Sequence, residues 1–153
     1  MSHSAPLELI TDAAGSMTFG WVGEGVYYAR SSRCVSARLG EAFAARLRVA
    51  VQSVPSLRYF GDARDLESYD LLARSAFLRV VVEHRRKFES LTLLSWVGAE
   101  MSDAFIATLG DNVLVLKDPI DFEGRLMAST PRARQKLGSK PDPRERSRWS
   151  LRR

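Results

Sequence analysis

LRYFGDARDLESYDLLARSAFLRVVVEHRRKFESLTLLSW, residues 57–96, decides the fold. It opens on a short apolar run, Leu57-Arg58-Tyr59-Phe60, closed by Gly61-Asp62. Residues 63–67 read as a polar turn. A helical pattern follows, with Tyr69, Leu72, Ala73, Ala76, Phe77, Val80 and Val81 at offsets of three and four, one stripe along a helix. Arg85-Arg86-Lys87 come next, cations suited to the negative end of the helix dipole. A second apolar run, Leu91-Thr92-Leu93-Leu94, completes the unit. Two apolar runs joined by a long helix make a βαβ unit, which favours a parallel sheet.

Upstream, residues 7–10 form a strand candidate and residues 12–16 a turn. Residues 17–22 and 26–29 are strand-like around Gly23-Glu24-Gly25, the composition of a tight turn. This predicts an edge hairpin with Phe19 and Trp21 on one face. A helix is expected from near Ser36, with Leu39, Phe43, Leu47, Ala50, Val51 and Val54 buried and Pro55 beyond its end. Downstream, residues 99–109 predict a shorter helix with Met101, Ala104, Phe105, Thr108 and Leu109 inward and Gly110 at a left-handed cap. Val113-Leu114-Val115-Leu116 suits a strand covered on both faces or at a sheet centre. Pro119 then opens a last helix, to about Ala128, with Phe122 and Leu126 inward.

The apolar rhythm stops at Ser129. Pro131, Pro141, Pro143, Gly138 and interleaved charge leave little apolar surface to offset ordering entropy. The expected organisation is one α/β domain over residues 7–128 and a basic, disordered tail over 129–153. The net charge of +5 divides unevenly: the tail holds nine Lys or Arg against Asp142 and Glu145, 9 − 2 = +7. The remainder is therefore 14 − 16 = −2, so the basic character belongs to the tail. With 45% hydrophobic and 27% charged residues in 153, the chain is of ordinary globular composition. The single cysteine, Cys34, excludes an internal disulfide and a multi-cysteine metal site. No apolar run approaches the ~18 residues of a membrane span, and the start lacks the pattern of a signal peptide. A cytoplasmic location is the expectation.

In element order over roughly residues 17–128, the chain resembles the STAS domain family (sulfate transporter and anti-sigma-factor antagonist), particularly its divergent sporulation-antagonist-like bacterial members. The likeness rests on the turn between Phe60 and Tyr69, the stretch from Gly98 to Gly110, and the closing strand, Asp118 and helix. It implies a mixed, mostly parallel sheet of about five strands with helices mainly on one face. Typical members carry an Asp-Ser-Ser/Thr-Gly motif at the turn entering the helix after the central strand, and a partner kinase phosphorylates its serine. The nearest stretch here is Glu67-Ser68-Tyr69-Asp70, in which only Ser68 matches in type and Asp70 stands in place of the glycine. A phosphate on Ser68 would gain from the helix N-terminus but be repelled by Glu67 and Asp70. Alternatively Ser68, or Asp65 before it, caps the helix.

No other group builds a catalytic or metal set. His84 stands beside three cations, which disfavour its protonated form, and reads as a solvated helix-end residue. Cys34 reads as a buried or inert thiol. The carboxylates Asp62, Asp65, Glu67 and Asp70 lack the spacing of an EF-hand loop and read as a solvated turn. Trp96 and Met101 follow the second strand, at the sheet edge where ligands and partners of open α/β sheets meet the protein. Trp96 there is either an exposed contact or covered by the neighbouring helix.

These readings converge on a non-enzymatic regulatory module, anti-sigma-antagonist-like or a signalling adaptor, that binds another protein through the carboxyl edge of its sheet. The contact residues would be Asp62, Asp65, Ser68, Tyr69, Trp96 and Met101, with Ser68 a candidate phosphosite. No cofactor or metal is expected. The rival is a small-molecule or lipid-binding domain of the same fold, which the divergent branch also implies and which requires a closed apolar pocket. The basic tail can neutralise phosphates of nucleic acid or of an anionic membrane, with Trp149 and Leu151 near its end. No sequence-specific nucleic-acid reading is expected from it.

Overall fold

The computed structural model describes residues 6–95 and 99–130. Six strands form one sheet in sequence order, β1 (Glu8–Thr11), β2 (Gly15–Gly23), β3 (Val26–Val35), β4 (Leu57–Tyr69), β5 (Phe88–Ser95) and β6 (Val113–Leu116). The first two pairings are antiparallel and the other three parallel. Helices α1 (Ala37–Gln52), α2 (Leu71–Glu83) and α3 (Ala99–Leu109) link the parallel strands, and α4 (Pro119–Ala128) closes the domain. This is the mixed, mostly parallel α/β architecture, with six strands rather than about five.

Alternation along the strands divides the core. Tyr59 of β4 points to the face covered by α1, α2 and α3, where Phe19, Phe43, Leu47, Phe77 and Phe105 are buried. Phe60 points to the other face, where Val26, Leu94, Leu116 and Phe122 of α4 gather. Three helices thus share one face, and α4 alone covers part of the other. Phe77 is the hub of the larger core, with its ring 5.2 Å from Tyr59, 6.0 Å from Phe43 and 5.1 Å from Phe105. Phe19 and Trp21 share that same face, as their spacing predicts.

The helix ends follow local chemistry. Ser36 caps α1 by accepting the Leu39 amide at 3.1 Å. Asp118 caps α4 through the Ile120 amide at 3.0 Å, with Pro119 at the first helical position. Gly110 adopts φ 63° after α3, the left-handed value expected of it.

Three expectations are corrected. Residues 63–67 are not a turn: β4 runs on to Tyr69, paired with an equally prolonged β3. Two register shifts against β3, at Arg30/Ser32 and Arg33/Cys34, absorb the extra residues of β4. Backbone pairing between two polar segments left no apolar alternation to read, so both halves of the extension escape the sequence together. β6 lies at the sheet edge, not its centre. Its apolar run reflects cover on both faces, Val113 packing on the larger core and Leu116 in the smaller, while Leu114 is exposed. His84 ends α2 with its Nε2 buried and unpartnered rather than solvated, because the chain folds back at once into β5. Among the described residues no helix is long and apolar enough to cross a membrane.

Candidate partner surface at the carboxyl edge

Strands β3, β4 and β5 run parallel, so their carboxyl ends and the starts of α1 and α2 share one edge of the sheet. Here β4 stretches beyond β5, whose pairing with it ends at Ala63–Ser95. The segment from Arg64 to Tyr69 leads directly into α2. Asp70 is the α2 cap, its carboxylate accepting the Leu72 amide at 2.8 Å while its own amide donates to Val35 O at 2.9 Å. Neither Ser68 nor Asp65 holds that role. An aspartate directly before the helix reaches the free N–H groups, whereas Ser68 is still in the strand, opposite Cys34.

The expected contact residues separate by depth. Asp65 and Ser68 are exposed, and Asp65 is ion-paired with Arg30 of β3. Tyr69 is half-buried against the larger core, and burial pushes its phenol above the ordinary tyrosine range. Asp62 is fully buried, its side chain at 0% exposure, and so lies beneath any contact surface. Tyr28 Oη donates to its carboxylate at 3.1 Å and Arg64 Nε at 3.0 Å. The Arg64 guanidinium also reaches Glu123 of α4 at 3.1 Å. Asp62 is therefore the inner post of a tie between sheet and α4, and its charge is matched where it is buried. Burial, then the Asp62 carboxylate, push Tyr28 up to about 12. Trp96 and the Met101 side chain lie outside the described residues.

Sequence reasoning missed the most exposed apolar groups of this edge. Leu71 and Leu72, at the first turn of α2, are 64% and 62% exposed. The stripe that predicted Leu72 buried is in fact Ala73, Phe77, Val80 and Val81. A signal was present: of the thirteen residues of α2, nine are Leu, Ala, Phe or Val, more than one buried face can hold. Neighbouring Ser68 and Glu67 are exposed too, so this corner offers two leucines beside a hydroxyl and acids.

Behind the corner, between sheet and α2, lies a cavity of about 40 Å³ lined by Met17, Ser31, Tyr59, Gly61, Tyr69 and Phe77 among others. Gly61 keeps it open: an added Cβ would come within 2.9 Å of the Tyr59 ring. Such a volume holds about three or four waters, at roughly 10–15 Å³ each, against the ~300 Å³ or more of a small-molecule site. Among the described residues no three His, Cys, Asp or Glu side chains converge as a metal-ligand set.

No family model matches the chain, and no curated protein matches it. Among solved structures it is similar to the Pseudomonas malonate decarboxylase MdcD–MdcE heterodimer at 17% identity and TM-score 0.47, over 84% of this chain and 66% of that one. It is also similar to an uncharacterized protein of the DUF3478 family with a SpoIIAA-like fold from Shewanella loihica PV-4. That match has 11% identity and TM-score 0.53, and covers 78% of this chain and 91% of that one. The second likeness, together with the strand order and the three helices on one face, establishes a SpoIIAA-like fold for this chain.

Proposed function

We propose that the chain is a regulatory module that binds another protein through the carboxyl-edge corner of its sheet. The observation that carries this reading is the exposure of Leu71 and Leu72 beside Ser68. Two adjacent leucines left in water at a helix start are a cost to the isolated domain that a partner would relieve. Asp65 and Tyr69 complete the contact on this side, with Trp96 and Met101 beyond them in sequence, and Asp62 supports them from within. Ser68 is the position at which phosphorylation would regulate the contact. A phosphate there would bring roughly two negative charges next to Glu67 and Asp70 and favour release of an acidic partner surface. The SpoIIAA-like fold supports an antagonist-type role. The alternative of a small-molecule or lipid-binding domain needs the cavity behind Tyr69 to enlarge several-fold.

The test is site-specific photocrosslinking in native cells from positions 68 and 72, with position 49 on the outer face of α1 as control. The expected result is a discrete crosslinked protein from 68 and 72 that Leu71→Ser/Leu72→Ser removes while the melting temperature holds. Equal crosslinking from position 49 would overturn the reading. Native mass spectrometry of the purified chain, showing a retained small molecule, would favour the alternative.

A further inference from the structure

The last strand leaves one side of the sheet open. β6 pairs with β5, and no described strand pairs with its other side. Alternate N–H and C=O groups of Val113–Leu116 therefore point outward with no ladder partner among the described residues. Edge strands are ordinarily guarded by charge or proline. β1, at the opposite edge, is guarded in this way: Pro6 stands just before it, and Glu8 lies within it, ion-paired with Arg46 of α1. β6 holds neither, being Val-Leu-Val-Leu throughout. It has the composition of a central strand and the position of an edge.

Exposed apolar side chains flank this edge on both faces. Leu114 points to the α4 face and is 37% exposed. On the other face α3 crosses from β5 to β6 with Phe105 buried beneath it. Ile106 is one residue on, about 100° round the helix. In a right-handed crossover that step turns it away from α2 toward the β6 side, and it is 46% exposed. The ends of the strand are charged. Asp111 precedes it and Lys117 follows it, both exposed and neither ion-paired with a described residue.

We propose that β6 is a dimerisation strand whose partner is β6 of a second copy, paired antiparallel about a two-fold axis perpendicular to the sheet. Such an axis keeps each face of the sheet continuous and places one residue opposite its own copy. Centred on Leu114, it sets the two Leu114 side chains together and Val113 opposite Val115 of the second copy. At each end it brings Asp111 against Lys117 of the second copy. Centred on Val115, Lys117 would instead face Val113; centred on Val113, Asp111 would face Val115. Charge complementarity thus selects one register, and it selects a second copy of this chain as the occupant. The same axis brings the two α3 helices to about 10 Å, two strand spacings, which is the ordinary separation of packed helices. Ile106 and its copy then cover each other. An unrelated extended peptide on this edge would gain the backbone bonds without these side-chain pairs. The inference does not rest on a partner at Leu71 and Leu72, which belong to α2 and leave β6 free.

The experiment is sedimentation equilibrium of the full chain from ~1 to ~100 μM, each variant also being melted. The wild type should be a reversible dimer at the upper end of that range. Leu114→Lys, at a position already exposed, should weaken dimerisation about tenfold or more by opposing like charges at the axis. Asp111→Lys and Lys117→Glu should each weaken it several-fold, since like charges then meet at both ends. Combining the two in one chain should restore the dimer. Mixing the two single variants should restore it as well, because each supplies the charge the other lacks. Leu71→Ser/Leu72→Ser should leave it unchanged. A monomer at the highest concentration would overturn the inference. So would a dimer that Leu114→Lys and both charge reversals leave intact in folded variants, or one that Leu71→Ser/Leu72→Ser abolishes.

Discussion

Gly40 of α1 rests directly on Ala73 of α2: a Cβ added to Gly40 would lie 2.2 Å from the Ala73 Cβ and 2.6 Å from its Cα. The two helices therefore touch backbone to backbone near their starts, and this contact sets how α2 presents Leu71 and Leu72. In an open helix, Gly→Ala stabilises by about 1 kcal/mol through backbone entropy. Here the overlap is with backbone, which no rotamer change relieves, so overpacking wins. Gly40→Ala should lose roughly 1–3 kcal/mol in urea unfolding. A raised midpoint would show that the helices can part freely.

Phe77→Ala removes the ring on which Tyr59, Phe43 and Phe105 converge. The expected loss is about 3–5 kcal/mol, transfer and cavity combined. Chemical denaturation showing less than ~1 kcal/mol would contradict its place as the hub.

Capping predicts a clean separation between neighbours. Asp70→Ala should cost about 1 kcal/mol, since it frees the Leu72 amide. Ser68→Ala should stay within ~0.5 kcal/mol, because its hydroxyl holds no helix N–H. Thermal melts of the two variants decide this, and a larger loss at Ser68 would return the cap to it.

Arg64→Ala leaves the buried Asp62 carboxylate with the Tyr28 hydroxyl and the backbone amide of residue 64, and severs the link to Glu123. It should destabilise on the order of 3 kcal/mol, as breaking one side of a buried pair does. In a double-mutant cycle, the loss should largely disappear in the Asp62→Asn background. Full additivity would mean the tie holds nothing.

Tyr28 supplies a pH test. Its folded pKa is raised from 10.0 to about 12, so its stabilisation is complete below pH 10 and is lost as pH rises through about 12. Against Tyr28→Phe, the wild-type urea midpoint should be steady to pH 10 and then fall relative to the variant. Tyr27, Tyr59 and Tyr69 are raised as well, and they cancel in the difference. Parallel curves to pH 12 would refute the assignment.

Much of the fold was legible because it rests on local and periodic chemistry. The 3.6-residue stripe of α1, the Pro55 and Pro119 boundaries, Gly110 and the apolar run of β5 are each fixed by side chains near in sequence. The parallel order followed from the spacing of strands and helices. The tertiary structure alone decided the rest. Residues 61–69 are a strand because residues 29–35 offer their backbone to pair with, a relation between segments some thirty residues apart that polar side chains do not encode. Asp62 is buried rather than solvated because Tyr28 of β3 and Arg64 of β4 meet its carboxylate, while Glu123 of α4 holds Arg64 from the other side. Leu72 is exposed because Gly40 and Ala73 bring the helices close enough to turn another stripe inward. Periodicity tells that a helix has an inner face, and packing chooses which one when the apolar residues outnumber the room beneath.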